Sequence, residues 1–113
     1  MIPNEKDEKF LAAGQESIRL EIALERYFQL EESEMKETYR QYLQKRFRPA
    51  MEKLIGNREN ARAREVFGLK EVTLFQVEDF IRMAQKAGNT ECVIWLLRQK
   101  EERFGFAGKD MEL

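Results

Sequence analysis

The sequence predicts an all-α domain of short antiparallel helix pairs, arranged as a helical repeat or an irregular bundle. Three observations carry that prediction. Apolar residues recur at steps of three and four over long stretches, above all from Met35 through Tyr39, Tyr42, Leu43, Phe47, Ala50, Met51 and Leu54 to Ile55, which aligns them on one helix face. Helix-start signals precede the apolar runs, the clearest being the capping box Thr73-Leu74-Phe75-Gln76. The chain holds only six glycines and two prolines in 113 residues, too few punctuators for the many turns of an all-β domain. At this length a single domain with a real core is expected.

The first four residues, with Pro3, read as a loosely held lead-in. From Glu5 the pattern is helical. Gly14 disfavours continuation by about 1 kcal/mol relative to alanine, so two helices are expected, Glu5–Ala13 and about Glu16–Leu30, with Ser17 able to cap the second. Glu31-Glu32-Ser33 is a polar junction with Ser33 as the next N-cap. The Met35–Ile55 stripe follows. Pro49 interrupts it, at a cost of about 3 kcal/mol within a helix interior, but the stripe keeps its phase, which predicts a kink or a break with immediate restart. Gly56 closes this element, and Asn57 is placed to cap a short helix running to Phe67 and Gly68.

Thr73 then opens a helix with Leu74, Val77, Ile81 and Ala84 in register and Phe80, Met83 and Ala87 widening the arc. Gly88 supplies a left-handed turn residue, and Asn89 or Thr90 caps the last helix. Cys92-Val93-Ile94-Trp95-Leu96-Leu97 is apolar on all sides. Periodicity alone leaves a strand open for so short a run. The charged, helix-favouring stretch Arg98–Arg103 decides for helix. Uniform apolarity implies burial from several directions, so Trp95, Leu96, Val93, Ile81, Val77 and Leu43 are expected in the core. Past Phe104, Phe106 is placed to fold back, and residues 107–113 are expected to be loosely held.

Within the last helix pair, Asp79-Phe80-Ile81-Arg82-Met83-Ala84, then Gly88, then Glu91-Cys92-Val93 and Leu96-Leu97, resembles one ankyrin repeat. Ile81 falls on that family's Leu, Ala84 on its Ala, Gly88 on its turn Gly, and Val93, Leu96 and Leu97 on the second-helix core. Asp79-Phe80 stands where the family has Thr-Pro, and Arg82 where it has His. The phrase Gly56-Asn57-Arg58-Glu59 recurs as Gly88-Asn89-Thr90-Glu91, a spacing near the family period of about 33 residues. The resemblance implies an extended binding surface, no cofactor and no shared partner.

Composition narrows the function classes. Charged residues make up 36% of the chain, yet the net charge is only −1, so no global field draws it to nucleic acid or an acidic membrane. Histidine is absent, which removes the commonest general base and metal ligand. The lone Cys92 excludes an internal disulfide and reads as a small core residue. No signal peptide or span of about 18 apolar residues occurs; a cytoplasmic protein is expected. No phosphate-binding glycine loop and no Glu-x-x-His pair is present. The chain reads as a non-catalytic module without cofactor or metal; an enzyme with a carboxylate pair is a further reading, for which no pair of acids is singled out.

Charge is segregated. Residues 1–35 carry four basic and nine acidic side chains, residues 36–70 ten basic and four acidic. The bland interpretation is pairing of the two segments across helix surfaces. The functional one is a basic surface that takes an anion or nucleic acid. Arg46 and Arg48, like Arg62 and Arg64, are two apart and point away from each other, and four glutamates are interspersed. A protein partner is thus favoured over nucleic acid. Tyr39, Tyr42, Arg46, Arg48 and Arg62 are the partner-binding residues this implies, because aromatic and guanidinium groups supply interface hot spots. Anion or nucleic-acid binding through residues 36–70 is the alternative.

Overall fold

A computed structural model of the chain describes residues 4–105. Among these the structure is all-α, with seven helices: α1 (Glu5–Ala12), α2 (Glu16–Gln29), α3 (Glu34–Lys45), α4 (Phe47–Gly56), α5 (Asn60–Phe67), α6 (Leu74–Lys86) and α7 (Thr90–Phe104). The expectations for Phe106 and for residues 107–113 lie outside the described residues, as do those for Met1–Pro3. No helix among the described residues is long and apolar enough to cross a membrane. The chain forms two compact units, Met1–Ala50 and Met51–Leu113, with the division inside α4.

In the first unit α1 packs on α2 and α2 on α3. Asn4, rather than fraying, caps α1 by accepting a hydrogen bond from the Lys6 amide. The break at Gly14 is real, but Gln15 is the cap residue of α2, and it makes no side-chain cap bond. Ser33 caps α3 by accepting from the Lys36 amide, as expected. Phe10, Ala23, Tyr39 and Leu43 are almost completely buried, and the Phe10 ring meets Tyr39 and Tyr42 edge-on at 4.7 and 5.1 Å.

The long stripe breaks for one residue. Arg46 leaves the helical region (φ −106°, ψ 39°) and α4 restarts at Phe47. This puts Pro49 in the first turn of α4, where a helix has no use for its missing N–H. The restart resolves the conflict between stripe and proline without a loop.

In the second unit α6 lies along α7, and two helix–turn–helix corners have the same geometry. At the end of α6, Gly88 is left-handed (φ 68°), its amide donates to the Gln85 carbonyl, and the Asn89 amide donates to the Ala84 carbonyl. At the end of α4, Arg58 is left-handed (φ 60°), and its amide and that of Glu59 donate to Ile55 and Leu54. Both are Schellman turns. The matching positions are thus Arg58 with Gly88 and Glu59 with Asn89. The repeated Gly-Asn phrase falls two positions out of step, because Gly56 is still helical and Asn57 does not cap α5.

Asn89 ties the two corners together. It is 2% exposed. It donates to the Ile55 carbonyl at 2.9 Å, exchanges amide hydrogen bonds with Asn60, and accepts from the Cys92 amide. Arg58 adds a bond from Nη2 to the Ala87 carbonyl at 3.0 Å. Asn89→Ala removes a cap and strands buried partners. It is expected to cost about 2 kcal/mol, read as a lowered denaturation midpoint, whereas Asn57→Ala should leave that midpoint unchanged.

The apolar run of α7 is not buried on all sides. Leu96 is fully buried and Cys92 nearly so, but Ile94 is 50% and Leu97 45% exposed, while Val93 and Trp95 are half-buried. The expectation of core positions for Val93 and Trp95, and for Leu97, is corrected accordingly. The physical reason is that α7 packs on α6 and, through Trp95, on Phe67 of α5, which leaves Ile94 and Leu97 facing outward. Leu74, at 40%, is likewise outside. Ile81, Val77 and Leu43 are core as expected.

Candidate functional site

The antiparallel pairing of α2 and α3 brings Glu16 beside Arg46 and Arg19 beside Tyr42. At this end of the pair a groove of about 360 Å³ opens, lined by Phe10, Arg19, Thr38, Gln41, Tyr42, Lys45 and Arg46. Arg46 donates from Nε to Glu16 Oε1 at 3.0 Å, and the Tyr42 hydroxyl donates to the same oxygen at 2.7 Å. The Arg19 guanidinium lies over the Phe10 and Tyr42 rings at 4.5 and 5.0 Å, an arrangement that attracts cation to ring face. Its Nε donates to the Phe10 carbonyl at 3.3 Å, and Nη1 stands 3.7 Å from Glu16. Lys45 is exposed at the rim.

These contacts set the charges. The bonds from Arg46 and Tyr42 hold the Glu16 carboxyl below its ordinary value. Burial, then the bond to Glu16, pushes the Tyr42 hydroxyl up to about 12, so it stays a proton donor at neutral pH. The groove is a cationic rim over two largely covered rings, with one carboxylate engaged in it.

The five residues predicted for partner binding do not form one surface. Tyr42 and Arg46 sit together in the groove. Tyr39 is fully buried. Its hydroxyl points away from solvent and donates to Asp7 Oδ1 at 2.5 Å, and Asp7 in turn accepts from Arg26 Nε at 2.8 Å and Nη2 at 3.1 Å. Burial raises the Tyr39 hydroxyl well above its usual range. Tyr39 is therefore a core residue and cannot contact a partner. Arg48 is exposed in the first turn of α4. Arg62 belongs to the second unit, where it pairs with Glu59 at 3.3 Å and lines a shallower hollow with Arg58, Asn60 and Glu91.

Sequence reasoning passed over Glu16 and Arg19. The usable signal was the turn at residues 30–33. An antiparallel pair folded there sets Glu16 opposite Arg46 and Arg19 opposite Tyr42, a register that side-chain spacing within one helix does not reveal. Arg46 with Glu16 and Arg40 with Glu32 pair the basic middle with the acidic first segment, whereas Arg40 also pairs with Glu37 inside the middle and Arg64 with Glu91 beyond it. Comparison with protein-family models, curated proteins and solved structures finds no match to the chain.

Proposed function

We propose that the chain is a non-catalytic protein–protein interaction module and that the groove at the open end of α2 and α3 is its binding surface. The observation that carries this reading is that Arg19, Lys45, Arg46 and Tyr42 line one solvent-open concavity. Arginine and tyrosine are the residue types that concentrate binding energy at interfaces. The resemblance of residues 79–97 to an ankyrin repeat supports a binding role in general terms and names no partner.

Nucleic-acid binding through residues 36–70 is the second reading, favoured by the ten basic side chains there. Against it, phosphate-driven binding needs several cations along one continuous face. Arg40, Arg46, Arg62 and Arg64 each already pair with a carboxylate.

The test is site-specific photo-crosslinking from Gln41, which lines the groove, with Arg98 on the exposed face of α7 as the control position. Capture of one discrete protein from Gln41, lost in Arg46→Glu, is the expected result. Arg46→Glu should leave stability nearly unchanged, since the pair it breaks is exposed to solvent and contributes little. A parallel salt titration against duplex DNA and single-stranded RNA should show weak binding that is gone by about 150 mM salt. Tight nucleic-acid binding at that salt, abolished by Arg46→Glu or Arg62→Glu, would replace the first reading by the second.

A further inference from the structure

We infer that the groove recognises an acidic segment of a protein partner, and that Glu16 occupies the recognition point as an internal substitute which that segment displaces. This inference rests on the interaction-module reading above and specifies the chemistry of the partner.

The charge count at the groove is unbalanced. Three cations, Arg19, Lys45 and Arg46, line it, and Glu16 is the carboxylate that Arg46, Arg19 and Tyr42 share. Glu37, the nearest other acid on α3, is engaged by Arg40 and Gln41. A single carboxylate leaves the site with capacity for more negative charge, and Lys45 has no ion pair among the described residues.

The donors are already aimed. Stacking on Phe10 and Tyr42, with Nε fixed on the Phe10 carbonyl, holds the Arg19 guanidinium in place before any ligand arrives. Donors fixed in advance lose less freedom on binding. The Tyr42 hydroxyl and Arg46 Nε converge on one oxygen, a geometry made for an anionic acceptor.

Glu16 can leave at little penalty. Its side chain is half exposed, so release returns it to water. It also stays in the first turn of α2, where negative charge is favoured by the helix dipole.

The same geometry selects against single-stranded nucleic acid. Such ligands stack bases on open aromatic faces, whereas Phe10 is 1% and Tyr42 8% exposed and Arg19 already covers both rings. Acidic side chains need only the rim.

The test uses a tetraglutamate peptide, the same peptide carrying one phosphoserine, and a single-stranded oligonucleotide. Binding is measured calorimetrically to the wild type, Glu16→Gln, Lys45→Glu and Arg46→Glu. Removing the internal competitor in Glu16→Gln should tighten peptide binding about tenfold, as expected when the open state is a minority, and both charge reversals should abolish it. Stronger binding of the phosphoserine peptide assigns the preferred anion as phosphate, and equal or weaker binding assigns it as carboxylate. Peptide binding that Glu16→Gln leaves unchanged or weakens would overturn the inference, as would oligonucleotide binding with the same dependence on Glu16. If neither peptide binds any variant, the acidic partner is wrong. The module reading is then judged separately by capture from Gln41.

Discussion

Asp7→Ala lowers the stability of the protein by about 3–5 kcal/mol, the range for removing one partner of a buried ion pair. Asp7 is 5% exposed, and two groups depend on it. Arg26, its side chain 12% exposed, loses both of its bonds to the carboxylate. The fully buried Tyr39 hydroxyl loses its acceptor. A truncation that leaves the Arg26 charge without a carboxylate, its bond to Gln29 remaining, and the buried Tyr39 phenol without an acceptor costs more than the intact pair contributes. Denaturant melts of Asp7→Ala and Asp7→Asn check this. The asparagine variant keeps an acceptor for one partner and should lose less.

The pH dependence follows with a definite sign. The Arg26 bond, then the Tyr39 bond, hold the Asp7 carboxyl below its ordinary 3.8 despite burial. The unfolded chain therefore takes up this proton at higher pH than the folded one. The contribution of Asp7 is complete above about 3.8 and is lost as pH falls through the depressed value. Asp7→Ala should flatten the acid limb of the stability curve while leaving the neutral region parallel to the wild type.

Leu96→Ala is the second large effect, about 2–5 kcal/mol for a leucine truncated in a packed core. Its neighbour supplies the internal control. Leu96 is fully buried and Leu97 is 45% exposed, so Leu97→Ala should fall within about 0.5 kcal/mol of the wild type. Paired chemical melts of the two variants decide whether α7 presents Leu96 inward. Equal losses would mean that the apolar run is buried on both sides after all.

Local signals were the legible part of the fold. The Thr73 capping box is present with both of its bonds, Ser33 caps α3, and Gly88 takes the left-handed turn, because each depends on residues within one turn of the chain. Pro49 was legible as a conflict, and the restart at Phe47 is one of the two solutions its chemistry allowed. The end of α4 at Gly56 was legible, but the turn that follows it was not. Arg58 holds a left-handed conformation disfavoured by about 1–2 kcal/mol for a side chain with Cβ. Gly56, the residue suited to it, sits inside the helix. Contacts distant in sequence account for this: Asn89 fastens the Ile55 carbonyl and Arg58 reaches the Ala87 carbonyl.

The candidate site was half legible. Tyr42 and Arg46 share the groove because Arg46, the C-cap of α3, lies one turn beyond Tyr42. Tyr39 shares the stripe too, but which side of the stripe faces the core depends on Asp7 and Phe10 from α1, and periodicity within α3 carries no information about that. Arg46–Glu16 and Arg40–Glu32 join the basic middle to the acidic first segment, whereas the buried Asp7–Arg26 pair lies within that first segment.

The most direct measurement of the central claim is backbone amide chemical-shift mapping of the protein with the partner captured from Gln41. Shifts are expected at Arg19 and from Thr38 to Arg46, with α6 and α7 unmoved. Shifts confined to residues 51–105, with the groove silent, would contradict it.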